Sequence, residues 1–542
     1  MRGLMMDFPL TLPAILERAR SEFSRVEIVW RNPEKSIARY TFGDFYRRAR
    51  ALGEALTRAG MKRGDRVATL MWNHEAHLEA YLGVPVAGGV LHTLNLRLHP
   101  AELAFIANHA QDRFLIVDDV LLPCLESFLP KTNFERIFVV PYGCGGGAGQ
   151  KFGKNYEHYE TFLATAKGGF QYPAIDENDA AAMCFTSGTT GRPKGVVYSH
   201  RSIVLHSMAE TVKDTFGLGH HDTVLPIAPM FHANAWGLPF TAVMMGTKIV
   251  LPGPHLDAAS VLDLIVEEGV TVACGVPTVW IGVLAALEQN PGKWKLSHSL
   301  NVPCGGTAPP ESLIRALDRH GIHLRHLWGM TETSPLATAG GLRQHMRDWT
   351  EDEKYKVRAL QGWASPFVEL RVTRDGREVP RDGSTAGDLE VRGPWVASSY
   401  YNAPEEQNRW TADGWFRTGD VATMDEDGYI RLVDRSKDLI KSGGEWISSV
   451  DLENTLMGHP AVREAAVVGV PHPKWQERPL AVVVLKDGAI ASPEDLREFL
   501  AARFAKWQLP DAIVFSDGIP RTSVGKFLKS KLRDQYANWK WE

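Results

Sequence analysis

Residues 186–195 read Thr-Ser-Gly-Thr-Thr-Gly-Arg-Pro-Lys-Gly: three glycines, four hydroxyls and two cations, with almost nothing that could pack in a core. Glycine lets backbone N–H groups turn toward an anion, hydroxyls donate, and Arg192 and Lys194 supply positive charge. The segment follows Ala180-Ala181-Ala182-Met183-Cys184-Phe185, an apolar run that reads as a buried strand. Such a loop suits polyphosphate. It is not a Walker loop, which needs four residues between its glycines and then Gly-Lys-Ser/Thr opening a helix. Here only two residues separate Gly188 from Gly191, and Pro193 removes an N–H and stiffens the loop. The plainer alternative is an ordinary strand-to-strand turn, but a turn has no need of hydroxyls, glycines and cations together.

Six further segments hold residue types that could work with such a loop. Leu327-Trp328-Gly329-Met330-Thr331-Glu332-Thr333 combines a flat ring, a hydroxyl and a carboxylate, and Gly305-Gly306-Thr307-Ala308-Pro309 just upstream allows close backbone approach to a flat ligand. Thr418-Gly419-Asp420 offers a carboxylate that can accept two hydrogen bonds from vicinal hydroxyls. Asp434-Arg435-Ser436-Lys437-Asp438-Leu439-Ile440-Lys441-Ser442-Gly443-Gly444-Glu445 is a charge run that by itself would be a solvated face. Near the end, Gly525 can place Lys526 on a loop tip, although a lysine there is most often plain surface. The segment Pro229-Met230-Phe231-His232-Ala233-Asn234-Ala235-Trp236-Gly237 sets bulky rings among small residues, either as core packing or as an apolar wall beside a slender ligand.

The elements that must position these residues alternate between helix and strand. Phe42, Phe45, Ala49, Leu52 and Leu56 keep a helical period that Gly60 stops. Strands are expected at 66–71, 88–91 and 114–117, with a helix over 75–82. The same alternation runs from Asp222 to Leu327, which predicts parallel sheets covered by helices. Beyond Gly362, Val368–Val372 and Gly387–Val391 predict a small antiparallel β region. The glycine-rich stretch 143–149 reads as a surface loop. From about Ser436 a compact α+β unit begins, with strands at Val467–Val470 and Ala481–Leu485 and a helix at Pro493–Phe504. The fold class is therefore α/β: a large N-terminal domain over residues 1–433, then a small α+β C-terminal domain over 434–542.

At 542 residues the chain exceeds what one core organises. A net charge of −4 gives no support for bulk nucleic-acid binding or a cationic membrane surface. Five scattered cysteines with no C-x-x-C pair read as small core residues in a reducing compartment rather than disulfides or zinc ligands. Asp7, Pro9, Pro13 and Glu17 interrupt any N-terminal apolar core, so no signal peptide is expected. No run of about 18 apolar residues suggests a membrane span. The C-terminal residues are not a peroxisomal address, and the expected location is the cytoplasm.

The ordered set of motifs resembles the adenylate-forming enzymes: acyl- and aryl-CoA synthetases, peptide-synthetase adenylation domains and firefly-type luciferases. The resemblance spans nearly the whole chain, and Phe231-His232-Ala233-Asn234-Ala235-Trp236 is similar to bacterial fatty-acyl-CoA synthetases. It implies ATP, Mg²⁺ and coenzyme A as cofactors and a nucleotide site built from Thr186, Ser187, Gly188, Thr189, Thr190, Gly191, Lys194, Gly305, Gly306, Thr307, Trp328, Gly329, Met330, Thr331, Asp420 and Arg435. Thr186 and Glu332 would hold the metal, and Lys526, Glu332, Thr331 and Arg435 would serve the adenylation step. His232 would sit near the carboxylate head, and Trp236 would gate an acyl tunnel. Asp434 would be a hinge, with Lys441, Gly443, Gly444 and Trp446 swinging in for thioester formation as the C-terminal domain moves. Many relatives have Tyr at the position of Trp328, which keeps stacking and loses a hydroxyl, and Lys at the position of Arg521.

The implied activity is ligation of a medium- to long-chain fatty acid to coenzyme A through an acyl-adenylate. The resemblance further implies a homodimer, and a lipid substrate is compatible with transient contact with a membrane surface. Three alternatives stay open: a ligase for aryl or short-chain acids, an amino-acid adenylating enzyme, and a non-catalytic binder of nucleotide or acyl-adenylate. The amino-acid reading lacks an acidic residue for the substrate amine at Ala233, Ala235 and Gly237. The binder reading leaves Glu332 and Lys526 without a purpose.

Overall fold

A computed structural model describes residues 1, 3–143, 156–186, 192–435, 438–442, 445–522 and 525–541. Two mainly parallel sheets form the large body. The first has seven strands in the order Tyr156–His158, Arg136–Val140, Asp112–Asp118, Arg66–Leu70, Val90–Thr93, Ala180–Phe185 and Gly195–Ser199. All neighbours run parallel except the last pair. Near-continuous apolar runs such as Phe114–Val117 are what a strand buried on both faces requires.

The second sheet has nine strands: Trp363–Ala364, Leu336–Ala339, Ile322–Gly329, Leu300–Cys304, Val272–Cys274, Thr223–Pro226, Lys248–Leu251, Glu27–Arg31 and Ile37–Thr41. Its middle is parallel and its two edges are antiparallel. The helix Phe42–Arg58 opens with a capping box between Thr41 and Asp44 and buries Phe42, Phe45, Ala49, Leu52 and Leu56. It packs on the helix Glu75–Val86, where a Cβ at Gly83 would stand 2.7 Å from Ala49 O. That close approach requires glycine.

Expected boundaries shift by a few residues. The helix expected over 75–82 continues to Val86, and Gly88, with φ +83°, turns the chain before the strand Val90–Thr93 begins. Of the glycine-rich stretch 143–149, all but Gly143 lies outside the described residues.

Beyond Gly362, five antiparallel strands form a separate sheet in the order Arg377–Glu378, Glu369–Arg374, Gly387–Arg392, Phe416–Met424 and Ile430–Arg435. The remainder is an α+β unit. Its long hairpin Val462–His472 and Gln476–Leu485 is flanked by Ile440–Ser442, Glu445–Ile447 and Ala512–Phe515. Two core clusters here draw only on residues 440–541, and the clusters of the large body use none beyond Leu432. Among the described residues no helix is long and apolar enough to cross a membrane.

Candidate active site

In open α/β sheets, ligands gather beyond the carboxyl ends of the strands. Four strands of the nine-stranded sheet end here in that way: Pro226 leads into Ile227–Pro229, Cys274 into Gly275–Val279, Cys304 into Gly305–Gly306, and Trp328–Gly329 into Met330–Glu332. Ile227–Pro229, Gly275, Val276, Thr278, Val279, Gly305, Gly306 and Trp328–Glu332 line one cavity of about 450 Å³, together with Thr186 at the end of the strand Ala180–Phe185. The five-stranded sheet adds Thr418–Asp420 and Arg435, and the C-terminal unit adds Gly525 and Lys526. Five cationic side chains (Arg97, Lys194, Arg409, Arg435, Lys526) face two carboxylates, Glu332 and Asp420, a lining excess of three positive charges. Such a lining favours an anion.

Its polar end is ordered by side-chain hydrogen bonds. Trp328 Nε1 donates to Asp420 Oδ2 at 3.0 Å, and Arg435 Nε stands 3.6 Å from Asp420 Oδ1. Burial pushes the Asp420 carboxyl up, while Arg435 and the Trp328 hydrogen bond pull it back. Tyr400 OH donates to Glu332 Oε1 at 2.5 Å, and Tyr198 OH donates to Thr331 O at 2.8 Å, so both turn residues are braced from behind. A Cβ at Gly329 would meet Pro335 O at 1.6 Å, so no other residue fits that turn. Across the mouth of the loop Thr186 N–H donates to Lys194 O at 2.9 Å and Lys194 N–H donates to Thr186 Oγ1 at 3.1 Å, and Lys194 Nζ is paired with Glu406 Oε1 at 2.7 Å. Ser187, Gly188, Thr189, Thr190 and Gly191 lie outside the described residues.

Lys526 follows Gly525, whose φ of +84° closes a tight turn with Thr522. The Lys526 backbone N–H donates to Thr522 Oγ1 at 3.1 Å, which fixes the start of the side chain. Burial and the Arg435 guanidinium lower its ammonium to about 8, against the pull of Asp420 and Glu332. The stem passes over Gly306, where a Cβ would lie 3.1 Å from Lys526 Cε.

The apolar end is walled by Phe216, Leu256, Val279, Leu336, Ala233 and Trp236. Ala233, Asn234, Ala235 and Trp236 all have positive φ, between 44° and 60°, and Gly237 follows at 85°. A left-handed turn of four non-glycine residues costs roughly 1–2 kcal/mol per residue, and it swings the Trp236 ring to the cavity. Burial, reinforced by Lys526, pushes His232 down to about 3, so its imidazole is neutral. The preceding loop is pinned by Asn73, which donates Nδ2 to Pro226 O and Ala228 O (2.9 and 3.1 Å) and accepts from Met230 N at 2.8 Å.

The structure thus gathers Thr186, Lys194, Gly305, Gly306, Trp328, Gly329, Met330, Thr331, Glu332, Asp420, Arg435, Lys526, His232 and Trp236 around one space. Thr307 lines instead an adjoining cavity of about 220 Å³, which Asp434 and Lys529 share. Asp434 is buried, and its Oδ2 accepts from Ser449 N at 2.9 Å, which ties the last strand of the five-stranded sheet to the helix Ser449–Met457. Lys441 is exposed and lines neither cavity. Gly443, Gly444 and the Trp446 side chain lie outside the described residues. Arg97, Arg409, Tyr400 and Glu406 were not foreseen. Each sits in a segment with no local pattern, and only the folded chain brings them here.

A family model described as AMP-binding enzyme matches residues 16–401, and one described as AMP-binding enzyme C-terminal domain matches residues 451–526. The chain is 49% identical over 538 residues to the long-chain-fatty-acid–CoA ligase of Thermus thermophilus, covering 99% of this chain and 97% of that one. To the medium-chain-fatty-acid–CoA ligase of Ectopseudomonas oleovorans it is 42% identical over 541 residues, covering 99% and 98%. The crystal structure of ATP-bound MatB from Rhodopseudomonas palustris superposes with a TM-score of 0.83 at 26% identity, covering 98% of this chain and 99% of that one.

Proposed function

The chain belongs to the AMP-binding enzyme family, and from that premise we propose that it activates a medium- to long-chain fatty acid with ATP and passes the acyl group to coenzyme A. The observation that carries this reading is a single cavity whose cationic end, with Lys526 and Arg435, continues into an apolar wall that includes Trp236.

A carboxylate is a poor acyl donor because its leaving group would be oxide. Attack of a carboxylate oxygen on the α-phosphorus of ATP expels pyrophosphate and leaves an acyl-adenylate, whose leaving group, AMP, is a far weaker base. Both reactants are anions, so their repulsion must be cancelled at a site with little water. Lys526 lines the same cavity as Asp420, Glu332 and His232 and can hold the carboxylate against the α-phosphate. Asp420 can accept the ribose hydroxyls, and Trp328 offers a flat face to the base. His232 is neutral and need take no proton, since the acid is already ionised. Glu332 and Thr186 are hard-oxygen donors of the kind that holds Mg²⁺ together with substrate phosphates, and the ion would neutralise charge on them. The remainder is alignment for in-line displacement.

Thioester formation needs the coenzyme A thiol at the same carbonyl, with AMP leaving. We assign residues 434–542 to a domain that turns about Asp434, withdrawing Lys526 and bringing Lys441 through Trp446 to the cavity. The exposed position of Lys441 supports this division of labour. Free thiols at Cys124, Cys184, Cys274 and Cys304 support a reducing, cytoplasmic setting.

The test is pyrophosphate release across fatty, aromatic and amino acids, with and without coenzyme A. Release with octanoate or palmitate, and thioester only when coenzyme A is present, is the expected pattern. Preference for aromatic acids would transfer the assignment to an aryl ligase, and no release with any acid would leave only nucleotide binding.

A further inference from the structure

Behind the apolar wall lies a polar cluster that the reaction does not use. The helix His200–Thr211 buries His206 and Glu210 one turn apart. Thr241, on the helix Leu238–Met245, donates its hydroxyl to Glu210 Oε2. Glu210 Oε1 has no hydrogen-bond partner among the described residues and stands 3.9 Å from His206 Nδ1. Burial holds the Glu210 carboxyl well above its ordinary range and pushes His206 down to about 3, so the imidazole is neutral. His206 Nε2 accepts from Leu336 N at 3.1 Å, which assigns the ring proton to Nδ1, on the side of Glu210.

The ring touches two separate pieces of the cavity wall. One is Leu336, whose N–H is taken by His206 and whose carbonyl accepts from Trp395 Nε1 at 2.8 Å. The other is Gly237, which ends the left-handed turn that carries Trp236. A Cβ there would lie 2.6 Å from both Nδ1 and Cε1 of His206 and 3.3 Å from Glu210 Oε1. Trp236 and Leu336 line the cavity, whereas His206 does not. A rigid ring wedged between two wall segments fixes their separation, because a close-packed interior transmits displacement.

We propose that His206, backed by Glu210, is a positioning residue that sets the distance between the Trp236 turn and the Leu336 strand and so determines which acyl chain lengths the cavity accepts. This rests on the fatty-acid reading above. Removing the ring strips Leu336 N–H of its acceptor and opens space behind Gly237, so the wall shifts on both sides. One methylene of misfit in an apolar pocket changes discrimination by roughly 10- to 200-fold.

The experiment measures kcat/KM for octanoate and for palmitate, and KM for ATP, in the wild type and in His206→Ala, His206→Asn and His206→Gln. Asparagine reaches the Nδ1 side only, while glutamine can offer an acceptor where Nε2 stood. The palmitate-to-octanoate ratio is expected to move by at least about tenfold in the Ala and Asn variants and to return toward the wild-type value in Gln, with the KM for ATP unchanged. Equal slowing of both substrates, with the ratio constant in Ala and Asn, overturns the positioning role. Should the Ala variant not fold, the Asn and Gln pair gives the same reading. A wild type that releases no pyrophosphate with either acid overturns the fatty-acid reading and this inference with it.

Discussion

Lys526 shares its cavity with Arg435, Asp420 and Glu332, and loss of water first, then that company, decides how it titrates. Its folded value of about 8 lies below the ordinary lysine value of 10.5, so the useful ammonium is present below pH 8 and is lost as pH rises through it. kcat/KM for ATP should therefore fall on an alkaline limb near pH 8, since that parameter reports the free enzyme. Lys526→Arg keeps its charge at any working pH and should remove the limb even if the rate drops. A limb unchanged in that variant would detach it from Lys526. Lys526→Ala should slow adenylation by about 10²–10³-fold while ATP still binds, as loss of a preorganised charge at a transition state does. Trp236→Ala should flatten the chain-length profile, read as kcat/KM along a fatty-acid series. At this scale the sequence was most legible, because motif residues such as Glu332 and Asp420 announce themselves by local order. Arg97, Arg409, Tyr400 and Glu406 could not be read, because they come singly from four unrelated segments.

Strands and helices were legible where burial leaves a periodic trace. Ala180–Phe185 and Gly387–Arg392 fall where apolar runs and alternation place them, and Phe42–Arg58 where its heptad-like spacing does. The turn Ala233–Gly237 left no such trace, since nothing in Ala-Asn-Ala-Trp announces four left-handed residues. Its conformation is imposed from outside, in part by Asn73, which holds the loop leading to it. Asn73→Ala would leave one buried N–H and two carbonyls unpaired, a loss of about 2–4 kcal/mol in stability, measurable as a lowered urea midpoint. The same variant should raise the KM for fatty acid more than the KM for ATP, because the loop leads into the turn that carries Trp236 on the apolar wall. Equal effects on both would mean that the loop merely supports the fold.

Over the whole molecule, the two bodies meet at Asp434 and along the ion pair Arg431–Asp451 at 2.6 Å. Lys526 points into the cavity while Lys441 lies outside it, an arrangement suited to the first half-reaction. On the proposed domain turn, Gly444→Trp should spare adenylation and slow thioester formation, since bulk on a loop that enters only for the second step would obstruct that step alone. Single-turnover assays of each half-reaction would check this, and equal slowing of both would count against alternation. The core clusters of the large body end at Leu432 and those of the C-terminal unit begin at Ile440, which has a consequence for how such an enzyme can be assembled. Neither piece borrows apolar filling from the other, so a gene split there, with both products made in one cell, should yield partners that rejoin and regain turnover, while each fragment alone stays folded and inert.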